Sequence, residues 1–186
     1  LSDGTDPMAD SALRHRPQDR QESAWRAGPV DPGSVETSVE IRCGGSEMIE
    51  PLASEWCALA TREPFQRPEW TRLYLESFAP EATLLLLTAR VDGRLAAVLP
   101  LIQERRSFHG LPATVLRSAS NVHSCRFDLI RAEGAEGRTA AGALWQRLLR
   151  GPGWSVIELA DVPVDGELSR LVAEASPTCT PAVEAS

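Results

Sequence analysis

The densest collection of reactive side chains lies in the run Asn121-Val122-His123-Ser124-Cys125-Arg126-Phe127-Asp128. There an amide, an imidazole, a hydroxyl, a thiol, a guanidinium and a carboxylate follow one another within eight residues. A ligand carrying an amine or sugar hydroxyls needs such a mixture of donors and acceptors, so Asn121, His123, Ser124, Arg126 and Asp128 are candidate substrate-binding residues. The same string also fits a solvated connection with one internal contact, because Arg126 and Asp128, two apart on a strand, would share a face. His123 beside Cys125 invites comparison with a thiol nucleophile and its base. Adjacency in sequence is not the geometry that activates a thiol, however, and no third, orienting group is identifiable. His109 precedes a glycine and reads as a turn residue, and His15 falls in a polar leader. Cys43, Cys57, Cys125 and Cys179 have no paired short spacing, and with three scattered histidines they form no zinc pattern. They read as reduced structural thiols.

These residues need elements to hold them. Val39 to Arg42 alternates like a short strand. After Gly44-Gly45, the apolar residues Ile49, Leu52, Ala53, Trp56, Leu59 and Ala60 recur at helical steps, with Pro51 near the first turn. A second helix opens at Pro68, with Trp70, Leu73, Tyr74 and Phe78 as its expected buried stripe and Pro80 as its stop. The period then changes. Thr83 to Val91 and Arg94 to Ile102 flank Asp92-Gly93, a pair suited to a type I′ hairpin turn, and the unbroken run Leu84 to Leu87 predicts a strand covered on both faces. His109-Gly110 leads to a third strand over 113–117, and Phe127 to Ile130 reads as a fourth. A helix is expected over 139–150 with Ala140, Leu144, Trp145 and Leu148 inward, then a strand over 154–159, which makes a parallel crossover. A last helix carries Leu168, Leu171, Val172 and Ala175. Trp56, Trp70, Trp145 and Trp154 fall on core stripes or strand starts and read as packing. The expected class is α/β (α+β): an antiparallel meander followed by a parallel β-α-β crossover, one mixed sheet with helices on both faces.

Residues 1–37 contain no Ile, Phe, Tyr or Cys and are rich in Asp, Arg, Gln, Ser, Gly and Pro, so a disordered leader is expected there. The ordered unit is expected over 38–176, with an unstructured tail over 177–186. No apolar run approaches the ~20 residues of a membrane span, and charged residues interrupt the leader, so the expectation is a soluble, cytosolic chain. A net charge of −7 argues against a general nucleic-acid binder, while leaving room for a local basic groove.

Three stretches resemble the CelD-like branch of the GNAT acyltransferases, which is associated with cellulose and exopolysaccharide synthesis: Pro64-Phe65-Gln66-Arg67-Pro68-Glu69-Trp70, Val98-Leu99-Pro100-Leu101 at the hairpin's end, and Asn121 to Asp128. Residues 154–163 fit the same pattern, and the likeness spans roughly residues 39 to 175. The resemblance implies the amino-terminal lobe of a two-lobed enzyme, with acetyl-CoA or another acyl-CoA as co-substrate, a small-molecule amine or sugar acceptor, and no metal. It also implies a carboxy-terminal lobe for the cofactor; with a low-complexity end at Ser186, the chain is expected to be a fragment and inactive alone. The GNAT phosphate loop has Arg or Gln, two residues, Gly, one residue, then Gly or Ala. Here 131–136 stand in its place: Arg131 and Gly134 fit, whereas Glu136 puts a carboxylate where a pyrophosphate would dock, and Glu133 adds to the repulsion. Gly134 and Gly137 then simply shape a polar turn. GNAT enzymes often use a strand carboxylate as general base, and Glu158 is the carboxylate available; the alternative is an edge position pointing into water. Beside an enzyme, the sequence admits a degenerate, non-catalytic binding module.

Overall fold

The apolar run Leu84 to Leu87 lies at the centre of the computed structural model, which describes residues 36–60, 63–124 and 126–175. It forms the middle of β2 (Thr83–Val91), and each of its four leucines is at most 1% exposed. At roughly 2 kcal/mol per buried leucine, this run is a large local source of stability. Asp92 and Gly93 take φ of 48° and 77°, as a type I′ turn requires, and lead into β3 (Arg94–Phe108). β1 (Thr37–Gly44) pairs antiparallel with β2, from Thr37 opposite Val91 to Gly44 opposite Leu84. A second tight turn at His109 (φ 49°) and Gly110 (φ 84°) folds β4 (Leu111–Ser118) back on the outer half of β3. The sheet order is β1-β2-β3-β4-β6, where β6 (Val156–Glu158) runs parallel to β4, and β5 (Ile130–Arg131) pairs with β3 off this path.

The helices cover both faces. Two 3-10 turns, at Ser46–Met48 and Glu50–Leu52, precede α1 (Ala53–Leu59), because Pro51 cannot donate the backbone bond that an unbroken helix needs there. α2 (Pro68–Phe78) follows. α3 (Gly134–Leu149) packs across β1, β2 and β3 with Ala140, Leu144, Trp145 and Leu148 inward, and α4 (Glu167–Ala175) buries Leu168 and Leu171. The mixed α/β class and the meander-then-crossover order agree with the expectation.

Several boundaries differ. β3 continues past Ile102 to Phe108, because its polar second half pairs with β4 although β2 ends opposite Gln103. Leu73 and Phe78, expected inward on α2, are 53% and 52% exposed; the helix is rotated so that Thr71 and Leu75 join the expected Tyr74 on the buried side. α3 starts at Gly134 rather than near 139. Two glycines hid that first turn, and Gly137 is required there: a Cβ would lie 1.8 Å from the Ala132 carbonyl oxygen. The strand expected at 127–130 keeps only Ile130 in the ladder. The crossover strand, trimmed to three residues, pairs with β4 rather than with that segment. The leader and tail, except for Glu36 and Thr37, lie outside the described residues.

Candidate functional site

β4 and β5 occupy successive stretches along one edge of β3: Ser118 is opposite Leu101, and Ile130 is opposite Val98. Between them the described residues 119–124 and 126–129 lie outside the sheet. β6 pairs with β4 only from Val115–Val156 to Arg117–Glu158, and beyond that point side chains take over. The Ser118 hydroxyl, 2% exposed, accepts from the Ala160 N–H at 2.9 Å and donates to the Ala160 carbonyl at 3.1 Å. Phe127 N–H then donates to the Asp161 carbonyl at 2.8 Å. The excursion therefore fills the place where β4 and β6 part.

Within it, the candidate substrate residues are largely turned on one another. Asn121 Oδ1 accepts from the His123 N–H, and the Ser124 hydroxyl accepts from the Asn121 N–H, both at 2.8 Å; this is an asparagine turn closed by a buried serine. His123 is exposed. Arg126 faces Glu63 and Asp165, each at 4.0 Å. The Arg126–Asp128 contact does not form, because this stretch is not a strand and Asp128 is committed elsewhere. Asp128, 8% exposed, takes backbone N–H groups from Leu129 at 2.9 Å and from Glu167 and Leu168 at 2.8 Å. It caps the start of α4 from about forty residues away, and a Cβ on Gly166 would sit 2.7 Å from its Oδ2. Cys125 lies outside the described residues.

The two weak cofactor candidates are also placed. Arg131 Nε pairs with Glu167 Oε2 at 2.8 Å, and its Nη1 donates to the Ala132 carbonyl at 2.9 Å. Burial works against the Glu167 carboxylate, but hydrogen bonds from Arg170 and Arg131 outweigh it and hold its pKa below the ordinary glutamate value. Gly134 opens α3 at φ 82°. Glu133 precedes that first turn, and Glu136 within it pairs with Arg94 at 3.2 Å. Among the described residues no group of three His, Cys, Asp or Glu side chains could hold a metal ion, and no helix is long and apolar enough to cross a membrane.

A polar hollow of about 330 Å³ opens instead on the sheet face that meets α2, lined by Glu104, Arg106, Arg117, Ser118, Ser120 and Glu158. Strand periodicity puts Glu104 and Arg106 on one face of β3, and the parallel register sets Glu158 beside Arg117. Arg117 is held hard. Its guanidinium donates to Glu104 Oε1 at 2.7 and 2.9 Å and to the Tyr74 hydroxyl at 2.6 Å, and it lies 5.7 Å from the Tyr74 ring centroid. Burial disfavours its charge, yet these hydrogen bonds keep its pKa above the ordinary arginine value. The Arg106–Glu158 pair reaches over β4 and is looser, with side chains 39% and 51% exposed. Glu158 is thus an exposed, ion-paired residue facing this hollow. Sequence reasoning missed Glu104, Arg106, Arg117 and Ser118; the charged run Gln103 to Ser107 at the end of an apolar strand was the available signal.

No family model matches the chain, and no curated protein matches it. Solved structures do. The chain is similar to a ribosomal-protein-alanine N-acetyltransferase from Brucella melitensis biovar Abortus 2308, at 19% identity and a TM-score of 0.48, covering 80% of this chain and 97% of that one. It is similar to an aminoglycoside acetyltransferase from an uncultured soil metagenomic sample, at 17% identity and a TM-score of 0.47, over 80% and 97% of the two chains. An aminoglycoside N-acetyltransferase in complex with CoA gives 14%, 0.44, 84% and 97% in the same order.

Proposed function

We propose that this domain serves acyl-CoA-dependent acyl transfer to an amine or sugar-linked acceptor, in polysaccharide or envelope metabolism. It supplies the scaffold and the acceptor side rather than the thioester pocket. The observation that carries the reading is the antiparallel meander feeding a parallel β4–β6 pair that parts after Arg117 and Glu158. The meander-then-crossover order is the one read from the sequence, although the parallel partner of β6 is β4 rather than residues 127–130. In the transfer itself an unprotonated amine attacks the thioester carbonyl carbon; a C–N bond forms, the C–S bond breaks, CoA leaves as the thiolate, and the nitrogen's proton passes to a base. Glu158 is an exposed carboxylate on the last paired residue before the strands part.

A second reading is a non-catalytic module of the same fold, and specific contacts favour it. The opening between β4 and β6 is closed by Ser118 and the Phe127–Asp161 bond. Arg131 is spent on Glu167, and two glutamates sit at the start of α3. Both readings give the isolated domain no acyl-CoA site of its own. A ligand present at a hundred times its Kd stabilises a fold by about 2.7 kcal/mol, a shift of several degrees in Tm for a chain of this size. Acetyl-CoA at millimolar concentration is expected to leave the Tm of the domain unchanged. Acyl transfer by a longer natural form that carries a second lobe would select the enzyme over the module. A clear shift with the domain alone would overturn the division of labour.

A further inference from the structure

We infer that β1 is a docking edge for a second copy of this chain, which pairs with it antiparallel about a two-fold axis at Ile41. The inference is independent of the proposed function. β1 ends the sheet and has β2 as its one strand partner among the described residues. It is eight residues long, carries no proline or lysine, and runs against β2 without a register irregularity. Long regular edges of this kind are templates for another strand, and folded proteins usually blunt or cover them.

The ladder shows which backbone groups are on offer. Asp92 N–H donates to the Glu36 carbonyl at 3.1 Å, so residues 36 and 92 form a hydrogen-bonded pair. Such pairs alternate in an antiparallel ladder. The N–H and C=O groups of Ser38, Glu40 and Arg42 therefore turn toward β2, and those of Val39, Ile41 and Cys43 turn outward. Val39 and Ile41 are only partly buried against the core, and Cys43 is exposed. The other face of the strand carries the charge: Arg42 donates to Glu40 at 2.7 and 3.0 Å, with side chains 45% and 54% exposed.

Charge then chooses the occupant. A second β1 centred on Ile41 sets Ile41 opposite its own copy, Val39 opposite Cys43 of the second copy, and Glu40 opposite Arg42 of the second copy. The outward amides of the two strands meet. The two Glu40–Arg42 pairs become a square in which every charge has an opposite charge beside it and another across from it. A two-fold at Glu40 or at Arg42 would instead set like charges face to face. Within β1 no other centre opposes the two charges, so the strand's own sequence selects the register. β1 and β6 are opposite ends of the sheet, so this interface leaves the hollow beside Glu158 uncovered.

The test is sedimentation equilibrium on the full chain at low ionic strength. From about 1 µM to about 0.5 mM, a monomer–dimer equilibrium is expected. Glu40→Arg and Arg42→Glu, each alone, put like charges across the two-fold and should weaken dimerisation about tenfold or more. An equimolar mixture of the two variants restores both opposite-charge contacts and should dimerise within about threefold of the unsubstituted chain. Both side chains are half exposed, and circular dichroism checks that each variant folds. Hydrogen exchange needs no variant: the amides of Val39, Ile41 and Cys43 should gain protection as concentration rises, while those of Ser38, Glu40 and Arg42 change little. A monomer over the whole range, a dimer indifferent to either charge reversal, or a mixture no better than its components overturns the proposal. So does protection of Val39, Ile41 and Cys43 that is the same at every concentration, since the edge would then be covered from within the chain. None of these outcomes bears on the acetyl-CoA titration, which decides the acyl-transfer reading separately.

Discussion

The β2–β3 hairpin and the segment from Ser118 to Arg131 lie side by side on the sheet and are built by different means. The hairpin is local: one tight turn, a register running from Val91–Arg94 outward with one irregularity at Ala89/Arg90, and leucines sealed on both faces. The neighbouring segment has almost no ladder. It is held by Ser118 on Ala160, Phe127 on Asp161, Asp128 on the start of α4, and the Trp70 indole on the Ala119 carbonyl at 3.1 Å. The first region draws its stability from burial of apolar area, which is non-directional. The second depends on a handful of directional bonds, each with a partner distant in sequence. A break in a strand can therefore be stable where most of the polar groups it exposes find new partners, although Asn121 Nδ2 and Arg126 Nε here find no hydrogen-bond partner.

The contrast can be broken at either end. Leu99→Ala, in the fully buried part of β3, should cost about 3 kcal/mol in denaturant unfolding; a cost under about 1 kcal/mol would mean that the hairpin is not the stable core. Asp128→Ala should cost about 2 kcal/mol, since it strips a buried acceptor from three backbone donors. Hydrogen exchange should show the loss concentrated in α4 and leave β2 and β3 protected. Uniform deprotection would merge the two regions into one unit.

A smaller effect, about 1 kcal/mol, is expected for Glu167→Gln, and it carries a pH signature. The folded pKa of Glu167 lies below its unfolded value near 4.5. The folded state therefore holds fewer protons, and the stabilisation is complete above that value and lost as pH falls through the folded pKa. Wild-type stability should fall below about pH 4.5 more steeply than that of the variant, as read from urea midpoints across pH 3 to 6. Parallel pH profiles would remove Glu167 from the α4 anchor. The smallest effect is expected on the outer face of α2, where Leu73→Gln should change stability by no more than about 0.5 kcal/mol, because the side chain is already half in water. A larger loss would show that this face is covered in the native protein.

How much was legible follows the same division. Leu84 to Leu87, Asp92-Gly93, Pro68 and the Ala140–Leu148 stripe carry their structural meaning within one turn or one strand. Periodicity and turn chemistry therefore determined the hairpin, three of the four helices to within a few residues, and the mixed α/β class. Arg126 and Asp128 looked alike in sequence as members of one polar string. Only the tertiary structure decided that Asp128 caps α4, that Arg126 turns to Glu63 and Asp165, and that Arg131 is spent on Glu167. It also decided that Glu104, Arg106, Arg117 and Glu158, spread over some fifty residues, share one face of three strands. A side chain's hydrophobic pattern is set by its nearest neighbours along the chain, whereas the partner of a polar group is set by which distant backbone happens to be desolvated beside it. That pairing exists only once the sheet is assembled.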